Sequence, residues 1–206
     1  TLAIGDVTAS GCSLGSWNAN SATVYTVVCT PSASASQAVS ISIAASTYTD
    51  AAGNNNAVSN TYTWTHDSVA PSVTSATVAG GTKKIGDAFT ITVVADAAGY
   101  SLSSGTLNGV AVTGFSDEGG GNYEMTYTVA SGNSDRSAGT TPVSIVLEDD
   151  AGNTNAAFTT LTESSALVID ANAPAATTSA TVAGSTAKVG DVITVTIVAS
   201  EQSLTC

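Results

Sequence analysis

The sequence predicts an all-β protein built of small β-sandwiches, and three observations carry that prediction. Hydrophobic residues make up 43% of the 206 residues and charged residues only 10%, so Ser and Thr supply the polarity. That is the composition of strands with hydroxyl-bearing outer faces, because Thr and Val both fit a pleated surface. Short runs alternate apolar and polar side chains with a period of two between Gly, Asn and Asp turn clusters, and no run carries the helical period of 3.6. Finally, one stretch occurs twice, as APSVTSATVAGGTKKIGD from Ala70 to Asp87 and as APAATTSATVAGSTAKVGD from Ala173 to Asp191. The two starts lie 103 positions apart (173 minus 70), half of the 206 residues, which makes the repeat the organising feature.

In order, Leu2 to Thr8 reads as a strand, and Gly11-Cys12-Ser13-Leu14-Gly15 leads into a hairpin with Asn20 and Ser21 at its tip. Ala22 to Thr30 follows as a strand that places Tyr25, Val27 and Cys29 on one face. After a Ser/Ala loop, Val39, Ile41 and Ile43 alternate with small residues as a half-buried strand. Asp50-Ala51-Ala52-Gly53-Asn54-Asn55-Asn56 is a turn cluster, Val58 to Trp64 a strand, and Asp67-Ser68-Val69-Ala70-Pro71 a linker. The order then repeats. Strands are predicted over Val73 to Val78, Phe89 to Ala95, Leu107 to Thr113, Tyr123 to Val129 and Val143 to Leu147, with a glycine-rich loop from Asp117 to Asn122. A second turn cluster runs from Asp149 to Asn155, and a second linker from Val168 to Pro174.

Beyond that linker the pattern opens a third unit with two strands. Joining Ala199–Cys206 to Thr1–Thr8 gives a segment that parallels Ala95 to Thr113. The chain therefore reads as one period of something longer. The expected units are 1–70, completed by 173–206 of a neighbouring copy, then 71–172 as a complete domain, then 173–206 as the first strands of the next. A covalent tandem array is the favoured arrangement, and a polymer of strand-complemented subunits the alternative.

Several segments carry a family resemblance. Ala199-Ser200-Glu201, Asp6 to Gly11, Ala22 to Val28 before Thr30-Pro31, Thr49 to Asn54 and Asp67-Ser68-Val69-Ala70-Pro71 resemble the bacterial immunoglobulin-like tandem repeats of large surface adhesins and of biofilm and extracellular fibre proteins. Lys84-Ile85-Gly86-Asp87 and Lys188-Val189-Gly190-Asp191 are similar to the approach to the second strand in those repeats. The resemblance implies two immunoglobulin-like β-sandwiches per period, one complete and one split between the termini. It also implies an extracellular or cell-surface location and a role as stalk, spacer or occasional ligand binder.

Composition bounds function further. A net charge of −12, with only Lys83, Lys84, Arg136 and Lys188 positive, repels a phosphate backbone, so nucleic acid is not an expected partner. No apolar run reaches the length needed to span a bilayer. An enzyme is not expected either. Gly11-Cys12-Ser13-Leu14-Gly15 formally matches a nucleophile elbow, but no helical pattern follows it and His66 is the only histidine. The carboxylates of Glu148-Asp149-Asp150 alternate faces along a strand and do not converge.

Calcium is the metal the residues suggest, through the hard oxygen ligands of Asp50, Asp149 and Asp150 with nearby Asn side chains. Asp67 and Asp170 lie in the linkers, positions that in similar adhesin repeats can hold calcium that stiffens the junction. The competing reading is that Asp and Asn cap tight turns through their own backbone. Trp17 and the Asp117–Asn122 loop are candidate contacts for glycans or a partner surface. Ser and Thr outside the strands, Ser32 to Ser36 above all, are candidate O-glycan acceptors, while no Asn-X-Ser/Thr acceptor occurs.

Three cysteines, Cys12, Cys29 and Cys206, leave one over after any pairing. A two-residue turn at Asn20-Ser21 would set Cys12 opposite Cys29. Cys206 with either of them, or no bond, are the alternatives. The functional expectation is a structural repeat of an extracellular filament or adhesin stalk that associates with copies of itself, and the alternative is a glycan- or partner-binding module.

Overall fold

The computed structural model describes residues 2–32, 36–182, 186–192 and 195–200. Its regular elements are almost all strands. In the first third these are β1 (Val7–Ser10), β2 (Cys12–Ala19), β3 (Tyr25–Pro31), β4 (Gln37–Ile43) and β5 (Tyr62–His66). They form a sheet of order β1-β4-β5 and a separate β2-β3 hairpin. The middle of the chain holds β6 (Val73–Val78), β7 (Gly81–Lys84), β8 (Ala88–Ala95), β9 (Ser101–Leu107), β10 (Val110–Ala111), β11 (Thr113–Gly119), β12 (Asn122–Thr128), β13 (Val143–Glu148), β14 (Thr162–Glu163) and β15 (Leu167–Asp170). A last hairpin pairs β16 (Ala176–Val182) with β17 (Val195–Ala199).

The middle segment is a sandwich. One sheet has the order β11-β12-β8-β6-β14 and the other β10-β9-β13, with a parallel β15-β7 pair closing the side. Alternation dictates the core. Phe89, Ile91, Val93 and Ala95 of β8 face inward with Tyr123, Met125 and Tyr127 of β12 and meet Leu107, Val143, Ile145 and Leu147 from the opposite sheet. Leu167 and Ile169 of β15 complete the cluster. Each such side chain stabilises the fold by about 1.5–3 kcal/mol when fully buried. All members of this core lie between Ala76 and Ala171.

The first third is built differently. Among its described residues up to His66, Val39 is the only buried hydrophobic side chain. Its strands alternate as the sequence predicts, but their inward faces are half covered.

Several boundaries differ from the sequence expectation. Leu2 to Thr8 is not one strand: Asp6 accepts a 2.8 Å hydrogen bond from the Ala3 amide and its own amide returns to the Ala3 carbonyl, closing a 3-10 turn over Ile4–Asp6. The β2-β3 loop spans Asn20 to Val24 rather than two residues, because the amides of both Asn20 and Ser21 reach the Val24 carbonyl. Val58 stays exposed and the fifth strand begins only at Tyr62.

In the middle segment, Leu107 to Thr113 is not a strand but a reversal at Asn108-Gly109, with φ of 55° and 75° and Leu107 paired to Val110. Both angles are those of a type I′ hairpin turn, for which Asn-Gly is the preferred pair. The expected Asp117–Asn122 loop tightens to Gly120-Gly121, with φ of 61° and 83°, between the paired Gly119 and Asn122. The supposed second linker is strand up to Asp170, with Leu167, Ile169 and Ala171 buried.

Candidate functional site

The β2-β3 hairpin is closed by a disulfide between Cys12 and Cys29, whose Cα atoms are 5.6 Å apart. The pair is the one that the turn geometry pointed to, but its register is not the expected one. Cys12 lies opposite Pro31 and Leu14 opposite Cys29, with an irregularity between Gly15 and Asn18 where Ser16 takes a φ of 47°. The bond therefore runs diagonally across the hairpin. Cys206 lies outside the described residues. Ser13 sits within β2 opposite Thr30, and His66 ends β5 opposite Gln37 in a different sheet.

The two turn clusters are copies in atomic detail. Asp50 Oδ1 accepts the amides of Ala52 and Asn54, each at 2.9 Å, while Oδ2 accepts the Asn54 side-chain amide at 2.9 Å. Asp149 takes the amides of Ala151 and Asn153 and the Asn153 side chain at 2.9, 2.8 and 2.9 Å. The Asn54 and Asn153 side chains, followed by backbone donors, hold the two carboxyls below their ordinary range. Asn56 and Asn155 then tie each turn back to its strand, donating 2.7 Å to Ala44 O and 3.2 Å to Ile145 O. These carboxylates cap backbone amides, which is the work Asp does in tight turns.

Of the candidate calcium residues, the fold brings Asp67, Asp149 and Asp150 to one cavity of about 380 Å³, shared with Thr65, Gly99 and Tyr100. Asn153 donates a 3.3 Å hydrogen bond to the Asp67 carbonyl there, so the linker is held by the sandwich that follows it. Asp170 lies apart, beside Lys84 and Pro174, and Asp50 stays on its own turn. Among the described residues no group of three or more His, Cys, Asp or Glu is arranged to hold a metal ion.

Trp17 stacks on Tyr25, with ring centroids 5.4 Å apart and planes at 23°. These rings, with Leu2, Val7, Val27, Ile41, Ile43 and Tyr62, line an open depression of about 270 Å³ on the inward face of the first unit. Tyr62 is 72% exposed there. The Asp117–Asn122 turn is tied down: Asp117 accepts the Gly99 amide at 2.6 Å and the Gly119 amide at 2.8 Å.

Sequence reasoning missed a polar cluster under the middle sandwich. Arg136 Nε donates to Asn108 Oδ1 at 2.6 Å, and Asn108 Nδ2 donates to Ser134 O at 2.7 Å. Tyr127 Oη donates to Asn133 Oδ1 at 2.9 Å. Next to them Asp135 accepts the Ala171 amide and the Asn172 side chain, each at 2.8 Å, and these donors, the Ala171 amide foremost, depress its pKa. The signal was present in Asn108-Gly109 and in Arg136, one of four cations, but long-range pairing has no local period. Tyr123 is a second such centre. It stacks on Phe115 at 5.4 Å and Tyr100 at 6.2 Å and donates to the Ala97 carbonyl at 2.8 Å.

Among the described residues no helix is long and apolar enough to cross a membrane. Neither a curated protein nor a solved structure matches the chain. The alternating strands, the duplicated turn and the all-β architecture agree with a family-level finding: residues 1–65 match the family model of the bacterial Ig-like domain.

Proposed function

We propose that the chain is a structural repeat unit of an extracellular filament or adhesin stalk, joined to further copies of itself in a covalent tandem array. The observation that carries this reading is the way the repeated linker is held. Asp67 caps the Val69 amide at 3.0 Å, its carbonyl is gripped by Asn153 of the following sandwich, and Pro71 is buried at the start of that sandwich. Asp170 repeats the cap on Asn172 at 3.3 Å. A linker of this length with fixed amides and a proline leaves little hinge freedom, which is what a stalk that transmits reach requires. The duplicated turn clusters and the bacterial Ig-like match over residues 1–65 support a tandem module of a surface protein. The disulfide fits an oxidising compartment outside the cytosol.

The experiment is electron microscopy of native material together with denaturing mass analysis. Thin beaded filaments whose denatured chains far exceed 20.1 kDa are the expected result. Discrete globular particles would overturn the stalk. Filaments that dissolve to chains of that mass would replace the covalent array with strand-complemented subunits.

The stacked Trp17-Tyr25 pair beside an open depression favours a second reading, a glycan- or partner-binding module, because flat aromatic faces suit sugar rings. A glycan array on the 206-residue chain separates the two: selective binding supports the module, and assembly without ligand supports the stalk.

A further inference from the structure

We infer that the open inward face of the first unit is the docking surface for the β16-β17 hairpin of a second copy, which adds β17 to the edge of β3 that faces away from β2. This rests on the reading of the chain as a repeat unit and specifies the contact between units.

The middle sandwich displays the finished arrangement. There β12 pairs with β11 on one side and β8 on the other, and β8 pairs with β6. The first unit has the β2-β3 hairpin in place of β11-β12, and nothing among the described residues in place of β8 and β6. The inward residues correspond: Tyr25, Val27 and Cys29 alternate on β3 as Tyr123, Met125 and Tyr127 do on β12. In the sandwich those positions are at most 1% exposed, because the side chains of β8 and β6 flank them on the same sheet and the opposite sheet closes over them. In the first unit the equivalent face stays open, with Trp17, Tyr25, Val27, Ile41, Ile43 and Tyr62 lining the depression.

The chain also carries the missing piece. Ser179-Ala180-Thr181-Val182 repeats Ser75-Ala76-Thr77-Val78, and Val195-Thr196-Ile197-Val198-Ala199 parallels Ile91-Thr92-Val93-Val94-Ala95. The pairing repeats at one end of the hairpin: Thr181 and Val182 lie opposite Thr196 and Val195 as Thr77 and Val78 lie opposite Thr92 and Ile91, while further out the register shifts and Val198 meets Thr177. Yet β16-β17 forms a two-stranded sheet of its own, a structure of marginal stability in water. Among the described residues, one chain thus holds a half-covered face with no strand on the outer edge of β3 and a hairpin that pairs with no third strand. Both are copies of parts already joined in its middle segment. Addition to an exposed strand edge satisfies the backbone of both partners while the apolar face closes.

The ladder between β12 and β8 sets the register. It places Tyr123 opposite Val93, Glu124 opposite Thr92 and Met125 opposite Ile91. Transferred to the two copies, Tyr25 meets Ile197, Thr26 meets Thr196 and Val27 meets Val195.

The test is oxidative cross-linking of the 206-residue chain carrying both Thr26→Cys and Thr196→Cys, with Val28→Cys plus Thr196→Cys as a register-shifted control. The expected result is a non-reducing gel ladder of dimers and higher species from the first variant, at least about tenfold more abundant than from the control and lost on adding Val27→Asp. Intact Cys12–Cys29 linkage by peptide mapping and an unchanged β-type circular dichroism spectrum verify that Val27→Asp still folds. Equal ladders from both pairs would overturn the register, and monomers alone, or a cross-link within one chain, would overturn the contact with a second copy. Beaded native filaments without the ladder would leave the stalk standing and remove this hairpin contact.

Discussion

Arg136 Nε donates a 2.6 Å hydrogen bond to Oδ1 of Asn108, a residue 5% exposed and held at a φ of +55°. One side chain thereby completes the β9-β10 turn and receives the only arginine of the chain. Asn108→Ala loses a bond to a charged group and places a Cβ-bearing residue without Asn's tolerance in the left-handed region. It is expected to destabilise the protein by about 2–4 kcal/mol. Asn108→Gly removes the same bonds but accepts the turn, so it costs about 1 kcal/mol less. Urea unfolding of the two variants checks the order.

The disulfide predicts where reduction acts. Cys12 and Cys29 are separated by 17 residues, and opening a loop of that size costs about 3 kcal/mol. Among its described residues the first unit has a single buried hydrophobic residue to offset the loss. Differential scanning calorimetry with reductant is expected to lower or abolish a first transition while leaving that of the middle sandwich in place.

The acid limb of stability follows from three carboxylates. Asp50, Asp149 and Asp135 are pulled below the ordinary value of 3.8, the first two chiefly by the Asn54 and Asn153 side chains and the third by the Ala171 amide. A depressed folded pKa contributes stability that is complete above the unfolded value and fades as pH falls through the folded one. Melting temperature is expected to hold down to about pH 4 and fall below it. Asp135→Asn combined with Asp149→Asn should flatten that fall.

The alkaline limb depends on Tyr100. Burial first, and then its hydrogen bond to Asp96, push its pKa from 10.0 up to about 12. A raised folded value contributes stability that is complete below the unfolded pKa and is lost as pH rises through the folded one. Stability is expected to decline between pH 10 and about 12. In Tyr100→Phe that component of the decline should vanish, as read by melting across the range.

Gly120 and Gly121 separate two costs. Both have positive φ, but a Cβ on Gly121 would meet the Ala95 carbonyl, whereas at Gly120 the nearest atom is the Asn122 side chain at 3.7 Å. Gly120→Ala carries conformational strain alone, about 1–2 kcal/mol. Gly121→Ala adds displacement of the β8-β12 connection and is expected to cost more, by urea titration.

Much of this architecture was legible in single residues. The period of two placed Ile91, Val93, Tyr123, Met125 and Tyr127 on inward faces, because alternation is a local property of the strand. The duplicated Asp50 and Asp149 clusters announced themselves as turns through Asx chemistry that spans five residues. Asn108-Gly109 carried a readable hairpin signal that the surrounding apolar run concealed. The parallel β7-β15 pair left no local trace, since Gly81–Lys84 meets Leu167–Asp170 across more than eighty intervening residues. The diagonal geometry of Cys12 and Cys29 was hidden for a related reason: the irregularity at Ser16 shifts the ladder, and such a shift depends on the backbone of both strands.

By itself the sequence determined an all-β chain of repeated units, the inward faces of its strands, the turn carboxylates and the cysteines available for pairing. These follow from alternation, turn chemistry and self-similarity, all of which act within a few residues or between copies. Only the tertiary structure decided that residues between Ala76 and Ala171 own a closed core while the first unit keeps an open face over Trp17 and Tyr25. It also decided that Asp67, Asp149 and Asp150 share a cavity while Asp170 lies elsewhere. The physical reason is that burial is a property of two surfaces meeting, and an alternating strand specifies which face seeks cover without specifying what covers it.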